Sequence, residues 1–185
     1  LADHINYRVG VWSASPKKKE KEELDQLSVS VDDLTVLIMN VEALSTVRGR
    51  DFAKSFLTRN NCLMCVDEST TIKNHSAART KNILKLAELA KYRRIMTGSP
   101  VTKSPLDLFS QVQFLDPWLL DQQSYYSFRA RYAVIVQRSV GTHSFQPIVR
   151  YQRLDELQEK IQHFSTRVLK SDCLDLPEKV YTKRS

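Results

Sequence analysis

Short apolar runs alternate with helix-like stretches from residue 7 to residue 114. Strands are predicted at the apolar runs Tyr7–Ser13, Leu34–Met39, Cys62–Val66 and Arg94–Met96. Helices are predicted between and after them, at 17–27, 49–59, 77–91 and 104–114. The second and third runs are apolar throughout, as expected for strands that are buried on both faces. Such alternation predicts an α/β fold in which one parallel sheet is flanked by helices.

The later part of the chain has a different pattern. Two short apolar stretches, Ala133–Val140 and Phe145–Tyr151, flank the turn residues Gly141-Thr142 and predict a small β-hairpin or two short strands. Helical spacing returns over Leu154–Phe164. We therefore expect a hairpin and a helical C-terminal extension after the α/β part.

Charge adds a candidate surface to this picture. The chain of 185 residues carries 28 Lys and Arg against 21 Asp and Glu, a formal net charge of +7. No acidic residue lies between Asp121 and Asp155, whereas five arginines do: Arg129, Arg131, Arg138, Arg150 and Arg153. A basic stretch of this kind favours an acidic partner such as nucleic acid. The alternative is a structural hairpin whose arginines pair with acids elsewhere, such as Asp116, Asp121 or Asp155.

The cysteine spacing and the hydropathy argue against a zinc finger and against a membrane-spanning protein. The pair Cys62 and Cys65 has no second Cys or His pair at zinc-finger spacing, so we interpret both as buried structural thiols. Few, apparently free cysteines fit a reducing compartment, and we predict a cytoplasmic location. No apolar run approaches the roughly 20 residues that span a bilayer, and no signal-peptide core follows Leu1, so no membrane partner is expected.

Candidate chemistry lies at two predicted strand ends. The strand Cys62–Val66 is followed directly by the carboxylates of Asp67 and Glu68. One carboxylate can hold Mg²⁺ through water, and its neighbour can deprotonate an attacking water. Because the carboxyl ends of parallel strands meet at one edge, Thr97-Gly98-Ser99 should lie beside these acids and bond to them. The alternative is an exposed acidic turn.

Several boxes resemble those of Swi/Snf-type ATPases, a DEAD/DEAH-like group of helicase superfamily two. Asp67–Asn74 (DESTTIKN) resembles the D-E-x-x-x-I-K-N box, and Met96–Val101 (MTGSPV) resembles the L-T-G-T-P-I box. Leu106–Pro117 (LDLFSQVQFLDP) is similar to the helix that follows in that family, and Ile38–Leu44 (IMNVEAL) to the upstream I-T-T-Y-E-x-L box.

The C-terminal segment extends the resemblance. Phe164–Lys170, followed by Leu176–Lys179, resembles the F-x-x-R-x-x-K and L-P-x-K sequences that lead to the second motor lobe. The D-E-S-T variant and the arginine-rich hairpin before Tyr151 are most similar to phage-type members, for which the cytoplasm would be that of the host.

The resemblance implies a role for each matching residue. Glu68 would be the catalytic base and Asp67 would hold the water shell of Mg²⁺, with ATP as the nucleotide. The residues that would couple the nucleotide site to the DNA site are Thr97, Gly98 and Ser99. A DNA phosphate would contact Asn40. The boxes also differ from the family: Ser69-Thr70 stands where Ala-His is usual, Thr102-Lys103 where Gln-Asn is usual, and Met39-Asn40-Val41 where Thr-Thr-Tyr is usual.

A phosphate-binding loop of the form G-x-x-x-x-G-K-[ST] does not occur in the sequence, because none of the four glycines precedes a lysine at that spacing. The resemblance then implies a partial P-loop NTPase fold. Residues 1–120 would be the part of the first RecA-like motor lobe after the phosphate loop. Residues 121–170 would be a family-specific hairpin and helix insertion, and residues 171–185 the start of the hinge to lobe two. The N-terminal phosphate-loop segment and the second lobe would be partners outside the chain.

Two function classes follow. The leading hypothesis is a fragment of an ATP-dependent DNA translocase or helicase that grips the duplex backbone, with Arg138 and Arg150 of the hairpin on DNA phosphates. We expect such a fragment to be inactive on its own. The alternatives are a non-catalytic nucleic-acid-binding module on a motor-like fold, and a motor whose phosphate loop lies on another chain.

Overall fold

The computed structural model describes residues 7–27, 33–141 and 143–168. The segment 171–185, predicted as the start of a hinge, lies outside the described residues, as do Leu1 and Cys173. In chain order the strands are β1 (Tyr7–Val11), β2 (Leu34–Ile38), β3 (Leu63–Val66), β4 (Tyr92–Ile95), β5 (Ala133–Ile135), β6 (Arg138–Val140), β7 (His143–Phe145) and β8 (Ile148–Tyr151). The α-helices are α1 (Lys18–Leu27), α2 (Val47–Arg59), α3 (Ala78–Ala87), α4 (Leu108–Leu115), α5 (Tyr125–Tyr132) and α6 (Leu154–Gln162).

The first four strands pair in parallel, two by two. Strand β1 pairs with β2 in a register that sets Val9 opposite Val36. Strand β3 pairs with β4, with Val66 opposite Ile95. A helix connects the strands of each pair, as parallel strands require. The α/β class and the parallel pairing of β3 with β4 are therefore confirmed. The single sheet that was to contain β2 as well is not seen: within the described residues β2 pairs with β1 alone.

Helix α1 packs closely against the β1–β2 pair. A Cβ at Gly10 would lie 2.0 Å from Cδ1 of Leu27, so a larger residue here would require the Leu27 side chain to move. Leu24 and Leu27 are buried by the contact. The sequence of this helix is highly charged, yet its two leucines attach it to the strands.

The prediction that β2 and β3 are buried on both faces is wrong for this structure. Leu34 is 54% exposed, Ile38 is 50% exposed and Leu63 is 59% exposed. Helices of the described residues cover one face of each pair and leave the other open. For the same reason the interpretation of both cysteines as buried thiols fails: Cys65 is exposed and Cys62 is half-buried. Partial burial raises the pKa of the Cys62 thiol.

Two hydrophobic cores meet at α4. The first lies between α2, α3 and β3, and includes Leu57, Ile83 and Phe114. The second joins α4, α5 and α6 through Phe109 and Phe128, among others. Helix α4 supplies Phe114 to one core and Phe109 to the other. It therefore connects the part that contains Asp67–Asn74, here called the acidic box, to the C-terminal part.

The hairpin and the last helix are present as predicted. Strands β5 and β8 pair antiparallel, β6 and β7 continue the hairpin, and Gly141 at its tip has a φ of 60°. A positive φ at a hairpin turn is typical of glycine. Helix α5 precedes the hairpin and is an element that the pattern analysis did not assign. In the parts of the chain that the structure describes, no helix combines the length and the apolar character needed to cross a membrane.

Candidate functional site

Asp67 and Glu68 lie at the carboxyl end of β3, and both side chains are exposed. The backbone of Glu68 is left-handed, with φ 46° and ψ 58°. Its N–H donates to Oδ1 of Asp67 at 2.9 Å. Non-glycine residues rarely adopt this conformation, and it is concentrated at functional sites because it costs free energy. The sharp turn directs the chain away from the strand immediately after the first carboxylate.

The ends of β3 and β4 are joined by backbone hydrogen bonds. The N–H of Met96 donates to the carbonyl of Val66 at 2.9 Å, and the N–H of Ser69 donates to the carbonyl of Met96 at 3.0 Å. This register brings Asp67 and Thr97 to the same edge of the strand pair. The acidic box and the Thr97-Gly98-Ser99 turn are thus neighbours, as the sequence predicts.

The hydroxyl groups of that turn have other partners than the carboxylates. The N–H of Ser99 donates to Oγ1 of Thr97 at 3.3 Å, and the hydroxyl of Ser99 donates to the carbonyl of Val101 at 2.9 Å. Among the hydrogen bonds of the described residues, none joins Thr97 or Ser99 to Asp67 or Glu68. The direct bond that we expected is therefore absent, because the turn satisfies its own hydroxyls.

A buried glutamine connects the two boxes instead. The hydroxyl of Ser69 donates to Oε1 of Gln111 at 2.6 Å. The amide Nε2 of Gln111 donates to the carbonyl of Pro100 at 2.7 Å and to that of Asp107 at 2.8 Å. Ser69 and Gln111 are both completely buried. One side chain of α4 thus contacts the residue after Glu68 and the residue after Ser99.

Asp107 organises the loop that follows the second box. Its Oδ2 accepts hydrogen bonds from the N–H groups of Thr102, Lys103 and Ser104 and from the hydroxyl of Thr102. Burial raises the pKa of Asp107, but these hydrogen bonds outweigh it and the pKa falls below its usual value. Lys73 of the acidic box is hydrogen-bonded to Oγ1 of the same Thr102. The two boxes are therefore connected at the surface as well as in the core.

Asn40 follows β2 and is exposed. Its Oδ1 accepts a hydrogen bond from the N–H of Glu42 at 2.9 Å and caps a short 3-10 helix, Val41–Ser45. The carboxylate of Glu42 pairs with Arg79 of α3. The oxygen of Asn40 is thus committed to the backbone, and its NH₂ group is the donor that remains for an anion.

The five arginines of the acid-free stretch divide into two groups. Arg131 forms a bidentate pair with Glu156 at 2.7 and 2.8 Å, and Arg153 lies 3.9 Å from the same carboxylate. Arg129 donates to the carbonyl of Gln146 at 2.6 Å.

Arg138 and Arg150 form the other group. Both are exposed, and neither has an ion pair within the residues that the structure describes. The alternative that the hairpin arginines pair with acids elsewhere therefore holds for Arg131 and Arg153. Their partner is Glu156, whereas Asp116, Asp121 or Asp155 was expected. This alternative leaves Arg138 and Arg150 as exposed cations without an ion pair in the described part of the chain.

The residues at the end of β3 fit Mg²⁺ bound largely through water. Over residues 7–27, 33–141 and 143–168 there is no group of three or more His, Cys, Asp or Glu side chains that could hold a metal ion alone. Mg²⁺ that bridges to nucleotide phosphates usually takes only one or two carboxylates from the protein and keeps several waters. The exposed carboxylate of Asp67 is a donor of this kind, and the carboxylate of Glu68 belongs to the adjacent residue.

The family follows from a comparison with known protein families: the chain belongs to the SNF2-related domain family, whose model matches residues 4–184. It is 31% identical over 138 residues to the DNA annealing helicase and endonuclease ZRANB3 of Mus musculus, covering 74% of this chain and 13% of that protein. It is 30% identical over 122 residues to the TATA-binding protein-associated factor 172 of Homo sapiens, covering 65% of this chain and 6% of that protein.

Among solved structures, the chain is similar to the Sulfolobus solfataricus SWI2/SNF2 ATPase core in complex with dsDNA. The TM-score is 0.43 at 24% identity, covering 70% of this chain and 29% of that chain. The chain spans only a small part of the length of each of these proteins. The family resemblance is confirmed, whereas the narrower phage-type resemblance has no support among these relatives.

Sequence reasoning missed Gln111 and helix α5. A glutamine between the apolar residues Phe109, Val112 and Phe114 of α4 was the available signal for Gln111. For α5 the signals were the N-cap Ser124 and the helical spacing of Tyr125, Phe128 and Tyr132. Gln111 contacts Ser69 of the acidic box, and Tyr125 of α5 stacks on His75 directly after it.

Proposed function

We propose that this chain is part of an ATP-dependent motor that translocates on DNA, as a helicase or a duplex translocase. The observation that carries the proposal is the pair of carboxylates at the end of β3, hydrogen-bonded through the adjacent backbone to the Thr97 turn at the end of β4. In this proposal Asp67 holds Mg²⁺ through water and Glu68 accepts a proton from the attacking water. Bound Mg²⁺ would neutralise charge on the phosphates.

The link between the boxes supports coupling of hydrolysis to movement. Loss of a phosphate beside Glu68 would change the contacts of the acidic turn. Through Ser69 and Gln111, that change would reach Pro100, one residue from Ser99. We therefore assign the coupling role to Thr97, Gly98 and Ser99. Gln111 connects them to the acidic box.

The proposal places the DNA backbone on exposed cations. Arg138 and Arg150 project from a stretch without acids, and the NH₂ group of Asn40 is a further donor for a phosphate. Such contacts are independent of base sequence. Phosphates of ATP would need a cradle that this sequence does not contain, supplied by an N-terminal segment or another chain, and a second motor lobe would complete the site. We also place the protein in the cytoplasm.

The catalytic part of the proposal is tested by DNA-stimulated ATP hydrolysis in the intact protein that carries these residues. We expect Glu68→Gln to lower turnover by about 10²–10⁴-fold, the usual cost of losing a general base. The matched control is Glu88→Gln, an exposed glutamate just after α3, and it should leave turnover unchanged. Equal turnover in wild type and Glu68→Gln would overturn the assignment.

The DNA-binding part is tested by the salt dependence of duplex binding. Each phosphate contact contributes about 0.9 to the log–log slope. Replacing Arg138 and Arg150 by Gln should flatten the slope by up to about two units, equally for unrelated DNA sequences. A control that removes two exposed cations of α2, Lys54→Gln with Arg59→Gln, should change the slope less. An unchanged slope in a folded Arg138 and Arg150 variant would leave the hairpin as structure only.

The second candidate, a non-catalytic DNA-binding module, is favoured by Arg138 and Arg150, which are exposed and have no ion pair among the residues that the structure describes. The same two experiments separate it from the motor. Salt-sensitive DNA binding without any Glu68-dependent turnover would select the module.

A further inference from the structure

An aromatic cluster lies next to the acidic box and is not used by the proposed motor chemistry. His75, the residue after the D-E-x-x-x-I-K-N box, stacks on Tyr125 of α5 with ring centroids 3.5 Å apart and planes 11° apart. Tyr126 meets both rings edge-on, at 6.5 Å from His75 and 6.0 Å from Tyr125. Tyr125 in turn contacts Phe109 of α4 edge-on at 5.7 Å. The cluster is therefore anchored in the second core.

Tyr126 is the exposed member of this cluster. Its neighbours Tyr125 and His75 are half-buried, whereas Tyr126 is 73% exposed. Neither neighbour stacks on Tyr126, so the ring stays accessible to a ligand from the solvent side. Aromatic rings with an open face are the platforms on which unpaired nucleobases stack.

Two cations lie near the cluster, Lys81 and Arg129. Lys81 acts on His75 electrostatically, and burial together with this charge lowers the pKa of His75, with burial as the larger cause. Arg129 acts on Tyr125 and lies one helical turn after Tyr126. The carboxylate that also acts on Tyr125, Asp107, is already engaged by four hydrogen-bond donors.

The same surface continues onto the hairpin. Arg129 donates to the carbonyl of Gln146, and the amide of Gln146 donates to Oε1 of Gln137 at 3.0 Å. Gln137 directly precedes Arg138. A path of cations and amides thus runs from Tyr126 to the proposed phosphate contact of the hairpin.

We propose that Tyr126 is a stacking platform for an unpaired nucleobase, with the flanking Lys81 and Arg129 on the strand's phosphates. The ligand class is single-stranded DNA, or an unpaired nucleotide beside a duplex. This inference goes beyond the proposed motor, which grips the duplex backbone through Arg138 and Arg150. A base on Tyr126 would sit beside His75 and therefore beside the acidic box.

The test compares two strands with the same phosphates, one that carries bases and one that carries none. Binding of the full chain to a thymidine dodecanucleotide is measured beside binding to an abasic strand of equal length. We expect Tyr126→Ala to weaken binding of the thymidine strand by about 5–150-fold, the range that one lost stacking contact gives. Binding of the abasic strand should be unchanged. Tyr126→Phe retains the ring and should bind like wild type, and Tyr126→Leu retains apolar area without a π-face and should bind like Tyr126→Ala.

The control is Tyr7→Ala, an equally exposed tyrosine on β1, which should bind both strands like wild type. The proposal is overturned if Tyr126→Ala weakens both strands equally, if it weakens neither, or if wild type does not prefer the thymidine strand. The change in the salt slope of duplex binding caused by replacing Arg138 and Arg150 tests the phosphate contacts of the hairpin and does not involve Tyr126. Failure of the platform and failure of the phosphate grip are therefore distinguishable.

Discussion

Removing the side chain of Gln111 is the sharpest test of the connection between the two boxes. Gln111→Ala deletes an amide that accepts one hydrogen bond from Ser69 and donates two, to the carbonyls of Pro100 and Asp107. Ser69 is completely buried, so bulk solvent does not reach its hydroxyl to replace the lost partner. Pro100 is exposed, so its carbonyl can be hydrated in the variant.

The magnitude follows from these surroundings. A buried donor left without a partner costs about 1–3 kcal/mol. Loss of the hydrogen bond to the carbonyl of Pro100 costs less, because water can hydrate that carbonyl. Removal of the packed Gln111 side chain adds a further cost from the cavity that it leaves. We expect Gln111→Ala to lower the free energy of unfolding by about 2–4 kcal/mol in total. For a domain of this size, that change lowers Tm by roughly 5–15 °C.

Urea unfolding followed by circular dichroism measures the free-energy change directly. The matched control is Gln113→Ala, the same substitution on the same helix. Gln113 is half-exposed and donates to the carbonyls of Pro117 and Gln122 at 3.3 and 3.2 Å. Water can replace both bonds, so the expected loss is below about 1 kcal/mol. In a double-mutant cycle, Ser69→Ala should couple to Gln111→Ala by about 0.5–3 kcal/mol.

The reasoning is refuted if Gln111→Ala and Gln113→Ala differ by less than about 0.5 kcal/mol. Additive effects of Ser69→Ala and Gln111→Ala would also refute it, because residues that share a buried hydrogen bond do not act independently. In the intact protein, Gln111→Ala should lower DNA stimulation of ATP turnover more than basal turnover.

Two further predictions concern the scaffold. Gly49→Ala should destabilise the chain by about 1–3 kcal/mol in urea unfolding, because the new Cβ would lie 2.3 Å from the carbonyl oxygen of Ala43. Gly98→Ala, where a Cβ meets nothing within 4 Å, should change the stability little. Hydrogen bonds from Arg131 hold the pKa of Glu156 below its usual value. The resulting stabilisation is complete above the unfolded-state pKa and is lost as pH falls through the lower folded-state pKa. Glu156→Gln should therefore destabilise at pH 7 and approach wild type only in acid, once pH has fallen through the folded-state pKa; a pH-independent difference would contradict this.

Local pattern and strand order predicted much of the fold and of the candidate site. The apolar run before Asp67 and the run before Thr97 were sufficient to place both residues at one edge, because parallel strands align their carboxyl ends. The hairpin followed from apolar residues around Gly141. These inferences need only neighbours in sequence and the rules of strand pairing.

Contacts between distant residues could not be predicted in the same way. Ser69 and Gln111 are 42 residues apart, and only the packing of α4 onto the acidic box brings them together. The exposed face of β3 was missed because an apolar run does not reveal which of its faces is covered. The partner of Arg131 was likewise decided by the position of α6, which sequence patterns do not give.

At Glu68 the left-handed backbone conformation and the proposed catalytic role favour different residue types. Glycine or asparagine adopts that conformation more readily than glutamate. Selection of this chain for thermostability would therefore enrich Gly or Asn at position 68. The enriched variants would lack the carboxylate on which the proposed hydrolysis depends. Laboratory evolution of the domain must therefore select for ATP turnover at every round, because selection for heat resistance alone favours variants that lack the Glu68 carboxylate.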